Sequence, residues 1–116
     1  MALVMEKVIL GTTIKLNVNL VGTPDVSIES MEYVVKVWAA PKNDSEQPVP
    51  SDDKIVVIPK ELAIAVDKYN AIVEVPTALI GRGYVIVRVE AQVPDTDCAS
   101  GYRKEIEQRV ANIDII

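Results

Sequence analysis

A chain of 116 residues is long enough for one domain with its own core, and we expect a single domain over residues 1–116. Its 17 acidic and 12 basic residues give a net charge of −5, and the scattered basic residues exclude the basic stripe that nucleic acid requires. The lack of histidine excludes Ser-His-Asp and Cys-His catalysis, and a single cysteine excludes an internal disulfide.

The N-terminal half of the chain contains three predicted strands. The segment MALVMEKVILG is apolar but interrupted by Glu6 and Lys7, which favours a strand over a signal peptide. TTIKLNVNL alternates with the period of a half-buried strand. MEYVVKVWAA has Tyr33, Val35, Val37 and Ala39 on one face and Val34 and Trp38 on the other. A strand that is apolar on both faces is either central in a sandwich or half of an interface.

Turn-forming residues predict two loops, GTPDVSIES at 22–30 and PKNDSEQPVPSDD at 41–53. KIVVIP and ELAIAVDKY then predict two short strands broken at Pro59. The inward row of the second is expected to be Leu62, Ile64 and Val66, and a helix over Lys60–Tyr69 is the alternative.

The C-terminal half begins with NAIVEVP, a predicted strand that Pro76 ends. TALIGRG predicts a tight connection, because its two glycines allow positive φ angles. YVIVRVEAQV predicts a strand with Val85, Val87, Val89 and Ala91 inward. In YRKEIEQRV, residues 102–110, the apolar residues are spaced by four, which fits both a helix and a strand. Its place after a strand and a turn favours a strand that continues into NIDII.

Seven or eight short strands separated by turns predict an all-β fold, an antiparallel immunoglobulin-like β-sandwich. No segment approaches the roughly 20 apolar residues of a membrane span, so no membrane partner is expected. The predicted core comprises Ile14, Leu16, Val18, Leu20, Val73, Val75, Val85, Val87 and Val89.

Several polar residues are of types found in metal or catalytic sites, but they lack the spacing or the cleft that such sites require. Asp95 and Asp97 have a spacing found in calcium loops but lack the further ligands, so a solvated turn is the main interpretation. Cys98 lies beside both aspartates, which disfavour a thiolate. Asp52, Asp53 and Glu61 could supply a carboxylate pair, but no cleft is indicated. We therefore assign no catalytic, cofactor-binding or metal residue and expect no enzyme activity.

The aromatic residues offer another alternative, a platform on which sugar rings stack. They are few and dispersed, which favours core or corner positions, and Tyr84 after the GRG turn is similar to the tyrosine that locks a sandwich corner. The set consists of Trp38, Tyr33, Tyr69, Tyr84 and Tyr102.

The order of GTTIKLNVNL, MEYVVKVW, LIGRGYVIVRVEAQVPD and GYRKE resembles small β-sandwich virion proteins of tailed phages, in particular the crAss-like phages that infect gut Bacteroides. It is also similar to the N-terminal domain of baseplate upper proteins. Leu79, Gly81 and Tyr84 match the entry to a late strand in these domains. The acidic turn that follows is matched by Asp95, Asp97, Gly101 and Arg103.

The resemblance implies a structural subunit of the virion, made in the bacterial cytoplasm, and a scaffold role for the acidic turn. Capsid decoration, head-fibre attachment and a connector or baseplate position are the roles it suggests. Other virion proteins would be its partners, in an oligomer or multi-copy assembly. A carbohydrate- or cell-surface-binding module is the alternative function.

The apolar terminal segments, MALVMEKVIL and NIDII, have two interpretations. They either pair with a sheet edge or neighbouring subunit, or they complete the protein's own two sheets.

Overall fold

A computed structural model describes residues 6–20, 31–40 and 54–116. These residues form eight β-strands in two sheets, with two 3-10 turns, Lys60–Leu62 and Thr77–Leu79, and no α-helix in the described ranges. The strands are β1 (Glu6–Val8), β2 (Thr13–Asn19), β3 (Glu32–Ala40), β4 (Val56–Pro59), β5 (Ile64–Ala65), β6 (Asn70–Pro76), β7 (Gly83–Pro94) and β8 (Tyr102–Ile115). The predicted all-β class is confirmed.

The two sheets pack around one shared core. The larger has the strand order β1-β8-β7-β3-β4 and the smaller β2-β6-β5. Neighbouring strands run antiparallel except β1, which is parallel to β8. The prediction of a fully antiparallel fold is therefore wrong at this pair. No hairpin joins these two strands, because they come from opposite ends of the chain.

Period-two alternation places one row each of β2, β3, β6 and β7 in the core. Ile14 lies opposite Val75, and Leu16 lies opposite Val73, across the β2–β6 pair. Every residue of the predicted core is buried: Ile14, Leu16, Val18, Leu20, Val73, Val75, Val85, Val87 and Val89. Burial of such side chains contributes roughly 1.5–3 kcal/mol each, so these rows are the main stabilising feature of the fold.

β3 is buried on both faces over part of its length, as its sequence predicted. Val35 and Val37 lie in the shared core, whereas Trp38 packs with Ile86 on the outer face of the larger sheet. Trp38 and Ile86 are cross-strand partners on β3 and β7. β3 lies between β7 and β4, and its outer-face residues Trp38 and Ala40 pack with Ile86 of β7 and with Ile55.

The predicted inward row of ELAIAVDKY is wrong. A 3-10 turn follows β4, and only Ile64 and Ala65 then form a strand. Ala65 lies opposite the core residue Ala71, so Ile64 lies opposite Ile72 on the outer face. Leu62, Ile64 and Val66 are accordingly 68%, 63% and 58% exposed. The alternation of the sequence correctly predicts that these three residues share an environment. The register of β5 with β6 places them on the outer face instead of the inner one.

Residues 102–110 form a strand, which resolves the helix alternative. They pair with β7 in continuous register from Tyr102 opposite Pro94 to Val110 opposite Ile86. An irregularity follows, after which Asp114 lies opposite Tyr84. β8 is thus bent near its C-terminal end, where its other edge begins to pair with β1.

The described parts of both chain ends complete the protein's own larger sheet. β1 pairs with β8 from Glu6 opposite Ile113 to Val8 opposite Ile115, and Ile115 is fully buried. This supports the second interpretation of the terminal segments for residues 6–8 and 113–115. Residues 1–5 and the predicted loops at 22–30 and 41–53 lie outside the described residues.

The connection between β6 and β7 is fixed by Thr77 and Gly83. The Thr77 hydroxyl accepts from the Gly11 N–H at 2.8 Å and donates to the Thr12 carbonyl at 2.7 Å, which joins this connection to the one between β1 and β2. Gly83 has a φ of 136°, and a Cβ there would lie 2.2 Å from the Ala40 carbonyl oxygen. Only glycine fits this close approach of β7 to β3.

No helix capable of spanning a lipid bilayer occurs in the part of the chain that the structure describes.

Candidate functional site

The acidic segment PDTDCASG forms a closed turn between β7 and β8. One Asp95 carboxylate oxygen accepts from the Asp97 N–H at 3.0 Å, and the other accepts from the Arg103 guanidinium at 3.1 Å. Arg103 also pairs with Glu105 at 2.8 Å. The pKa of Asp95 lies below its ordinary value, chiefly because of the Asp97 N–H and then because of Arg103. Both carboxylate oxygens of Asp95 therefore accept hydrogen bonds that stabilise the turn.

The remaining polar candidates do not converge in the described residues. The thiol-bearing Cys98 is partly buried within the same turn, and its backbone N–H donates to the Asp95 carbonyl. Glu61 is exposed in the Lys60–Leu62 turn, and Asp52 and Asp53 lie outside the described ranges. Within residues 6–20, 31–40 and 54–116, no three acidic or cysteine side chains group as metal ligands.

The aromatic residues do not form a stacking platform. Trp38 is 1% exposed and Tyr33 is 8% exposed, so neither offers a face to a sugar ring. Tyr84 and Tyr102 both lie on the outer face of the larger sheet, but they are beside opposite ends of β7. The Arg88 guanidinium lies over the Trp38 ring at 5.3 Å from its centroid, which further covers the indole.

Leu62, Ile64 and Val66 form an exposed surface that we call the outer aliphatic row. Ile64 lies in β5 of the smaller sheet opposite Ile72 of β6, Leu62 ends the preceding 3-10 turn, and Val66 follows the strand. The other side of this segment carries only alanines, of which Ala63 packs against the core. The large apolar side chains of this segment thus point to solvent, while the residue that packs against the core is the small Ala63, the reverse of a surface strand in a monomer.

β8 offers a second unusual surface, which we call the open edge, from Tyr102 to Asn112. β7 pairs with one edge of β8, and β1 pairs with the other only at Ile113–Ile115. No strand among the described residues pairs with the open edge. Its outer face carries Tyr102, Ile106 and Val110, which are 50%, 55% and 42% exposed.

The inner face of the open edge is charged because the smaller sheet does not cover it. Glu107 and Arg109 lie opposite the core residues Val89 and Val87 of β7, yet both are exposed. The Arg109 guanidinium donates to the backbone carbonyl of Asn17 on β2, the edge strand of the smaller sheet. Arg109 therefore bridges the two sheets at their open side.

A groove of about 420 Å³ lies between β2 and β8 at this open side. Its apolar floor is Val18, Val87 and Val89. Its rim is formed by polar residues, namely Asn17, Asn19, Glu107, Gln108 and Arg109. Such a groove could accept an extended chain or a small polar ligand.

Glu90 organises the charges on the outer face of the larger sheet. Its carboxylate pairs with Lys36 of β3 at 2.7 Å and with Lys104 of β8 at 3.3 Å. These lysines lower the pKa of Glu90, the hydrogen bond from Lys36 most of all. The arrangement joins three adjacent strands and leaves Ile106 as an apolar neighbour of Glu90.

Sequence reasoning missed the open edge, the groove and the outer aliphatic row. The one signal for the open edge was the ambiguity of residues 102–110, where charged residues occupy the face that a covered strand would make apolar. For the outer aliphatic row, alternating alanine with leucine, isoleucine and valine carried no indication of which face is inward.

Comparison of the chain with family models, curated proteins and solved structures finds no match in any of the three.

Proposed function

We propose that this chain is a non-enzymatic structural subunit that acts through protein–protein contacts. The observation that carries the proposal is the outer aliphatic row, where Leu62, Ile64 and Val66 are each more than half exposed. Three adjacent large aliphatic side chains on an edge segment are costly in water and typical of a surface that another protein covers. The exposed apolar residues of the open edge provide a second such surface.

We further propose an immunoglobulin-like topology. In chain order, β1 to β8 correspond to strands A, B, C, C′, D, E, F and G of such a domain. The order β8-β7-β3-β4 then matches G-F-C-C′, and β2-β6-β5 matches B-E-D. Tyr84 comes one residue into β7, near the E–F connection where a corner tyrosine occurs. Inter-strand nuclear Overhauser contacts in another strand order would contradict this assignment.

The setting that we propose is the particle of a tailed phage, as capsid decoration, head-fibre attachment, or connector or baseplate protein. The support is the sequence resemblance over GTTIKLNVNL, MEYVVKVW and LIGRGYVIVRVEAQVPD. A small domain repeated many times on a particle gains avidity from weak contacts and needs no deep pocket. Two surfaces for protein contacts on one small domain fit that requirement.

The test is to reconstruct purified particles from a phage that encodes the chain. We expect the chain as a stoichiometric component, with density for the sandwich and with the outer aliphatic row against a neighbouring protein. In a triple variant, Leu62→Ser, Ile64→Thr and Val66→Thr, incorporation should fall at least roughly tenfold with the fold intact, since each removed side chain loses about 1 kcal/mol or more of apolar burial.

Val57→Thr is the matched control, because Val57 is a 55%-exposed aliphatic residue on the other sheet. It should leave incorporation unchanged. Particles that lack the chain would contradict the virion setting, and equal incorporation of the triple variant would contradict the role of the outer aliphatic row.

A carbohydrate- or cell-surface-binding module is the second candidate, and the groove is the observation in its favour. Its rim groups, including those of Asn19 and Glu107, could hydrogen-bond sugar hydroxyls over the valine floor. Glycan-array binding that Asn19→Ala abolishes and Asn112→Ala preserves would support it. Trp38→Ala is unsuitable as a probe, because that ring is buried.

A further inference from the structure

We propose that two copies of this chain pair through the open edge of β8, antiparallel and about a two-fold axis at Gln108. The two five-stranded sheets would then form one continuous sheet. The inference deepens the proposed function and rests on it, because it names one partner of the assembly domain as a second copy and gives the register of the contact.

The open edge has the length and the polar groups for such pairing. It spans the eleven residues from Tyr102 to Asn112, and no described strand pairs with it. Every second residue of an edge strand directs its N–H and C=O away from its sheet, where a second strand can bind them. The register with β7 is regular from Tyr102 to Val110, so most of the edge is undistorted.

Symmetry restricts the registers that two copies can adopt. An axis that makes neighbouring strands antiparallel is perpendicular to the sheet, so inner faces stay together and outer faces stay together. Odd-numbered residues of β8 lie on the inner face and even-numbered ones on the outer face as far as Val110. The axis must therefore pass through a residue, and pairing at least nine of the eleven residues leaves positions 106, 107 and 108.

The charges exclude two of these three positions. An axis at Ile106 places Arg103 opposite Arg109 and Glu105 opposite Glu107, so every charged pair on the inner face is repulsive. An axis at Glu107 sets Glu105 opposite Arg109 twice, but Glu105 is already paired with Arg103. It also places the Glu107 carboxylate opposite its own copy and Lys104 opposite Val110. Like charges directly opposite one another destabilise a strand pair.

An axis at Gln108 gives favourable residue pairs on both faces of the joined sheet. On the inner face, Glu107 of each copy lies opposite Arg109 of the other, which gives two ion pairs. On the outer face, Ile106 lies opposite Val110 twice, and these residues are 55% and 42% exposed in the single chain. Arg109 has donors enough to keep its bond to the Asn17 carbonyl while it pairs with the second copy.

The self-complementarity of this segment favours a second copy over an unrelated partner. Read in opposite directions from Gln108, the sequence matches a positive residue with a negative one and an aliphatic residue with another. A strand from a different protein would impose no such relation within β8. Glu107 also has no ion-pair partner among the described residues, so its charge is available for the contact.

The experiment compares Glu107→Arg, Arg109→Glu and their equimolar mixture by sedimentation velocity, with circular dichroism to check folding. The unchanged protein should be a dimer. Each variant alone places two like-charged pairs in the dimer, so its dissociation constant should rise roughly tenfold or more. In the mixture, the introduced arginine of one variant lies opposite the introduced glutamate of the other, and the unchanged Arg109 lies opposite the unchanged Glu107. The mixed dimer should therefore regain the original affinity.

A cross-linking measurement covers the case in which a charge reversal prevents folding. In a Cys98→Ser background, Gln108→Cys should form a disulfide between copies, because this residue lies opposite itself at the axis. Lys104→Cys is the matched control on the same face of β8 and should not cross-link, because it lies opposite Asn112.

Three results would overturn the proposal. The unchanged protein could sediment as a monomer at every concentration, or its dimer could be indifferent to both charge reversals. A monomer that dimerises only after deletion of residues 1–5 would show instead that the open edge is occupied within one chain. If dimerisation fails by these criteria while the chain is still found on particles, the inference falls and the proposed function stands.

Discussion

β7 and β8 are adjacent strands of one sheet, yet residues opposite one another have contrasting environments. Val87 of β7 is buried, whereas Arg109 opposite it is exposed. The difference arises because β7 lies beneath the smaller sheet, whereas the first part of β8 extends beyond β2, whose edge Arg109 reaches. The polarity of each inner strand face therefore depends on whether the smaller sheet covers it. The first part of β8 is not covered, and its inner face is charged.

The largest difference in stability is expected between substitutions at Val87 and at its cross-strand partner Arg109. Val87→Asp puts an unpaired charge in the core, and we expect a loss of more than about 4 kcal/mol in the free energy of unfolding. Arg109→Ala should cost less than about 1 kcal/mol, since its interactions are exposed. Urea denaturation measures both. Similar losses for the two variants would show that β8 is covered as well as β7.

The entry to β7 provides the next contrast. Gly83→Ala should destabilise the fold by about 3 kcal/mol, because a Cβ would clash with the Ala40 carbonyl at a φ of 136°. Gly81→Ala is the control, since Gly81 has a φ of 87° but no atom within 4 Å of an added Cβ, and it should cost about 1 kcal/mol. Thermal melts of both variants test this order, and equal losses would contradict the close approach of β7 to β3.

A smaller effect is expected at the contact between the two connections. Thr77→Val keeps the shape but leaves the Gly11 N–H and the Thr12 carbonyl without the hydroxyl, which should cost about 2 kcal/mol. Thr77→Ser retains the hydroxyl and should lose less than about 1 kcal/mol. Denaturant midpoints of the two variants distinguish the hydrogen bonds from the packing of the side chain. A serine variant as unstable as the valine variant would assign the effect to packing.

The smallest effect is the pH dependence that Glu90 and Asp95 produce. Both have a folded-state pKa below the ordinary values of 4.5 and 3.8, chiefly because of the Lys36 hydrogen bond for Glu90 and the Asp97 N–H for Asp95. The unfolded state then binds more protons, so their contribution is complete above the unfolded pKa values and is lost as the pH falls through the folded ones.

Melting temperatures measured from neutral pH down to the acid range should therefore fall, and they should fall less steeply in Glu90→Gln. Glu61→Gln is the matched control, because Glu61 is exposed, has no ion pair among the described residues and lies outside the open edge. An unchanged slope in Glu90→Gln would contradict the role of the lysine pair.

The sequence predicts most of the core and little of the surface, for a physical reason. Alternation identifies Leu16 or Val87 as inward because the opposite row is polar, and burial decides the outcome. At β5 both rows are apolar, so the register with β6 decides, and Ile64 points outward. Cover by a second sheet depends on where β2 ends up relative to β8, which no local pattern records. The groove and the open edge follow from that placement alone.

The most direct test of the central claim, that β8 is an edge kept for another chain, is residue-resolved hydrogen–deuterium exchange at low and high protein concentration. Backbone amides that point outward from Tyr102–Asn112 should become strongly protected as concentration rises, while β7 amides stay equally protected throughout. If the open-edge amides exchange at one rate at all concentrations, or are already as protected as β7 in the monomer, the claim is wrong.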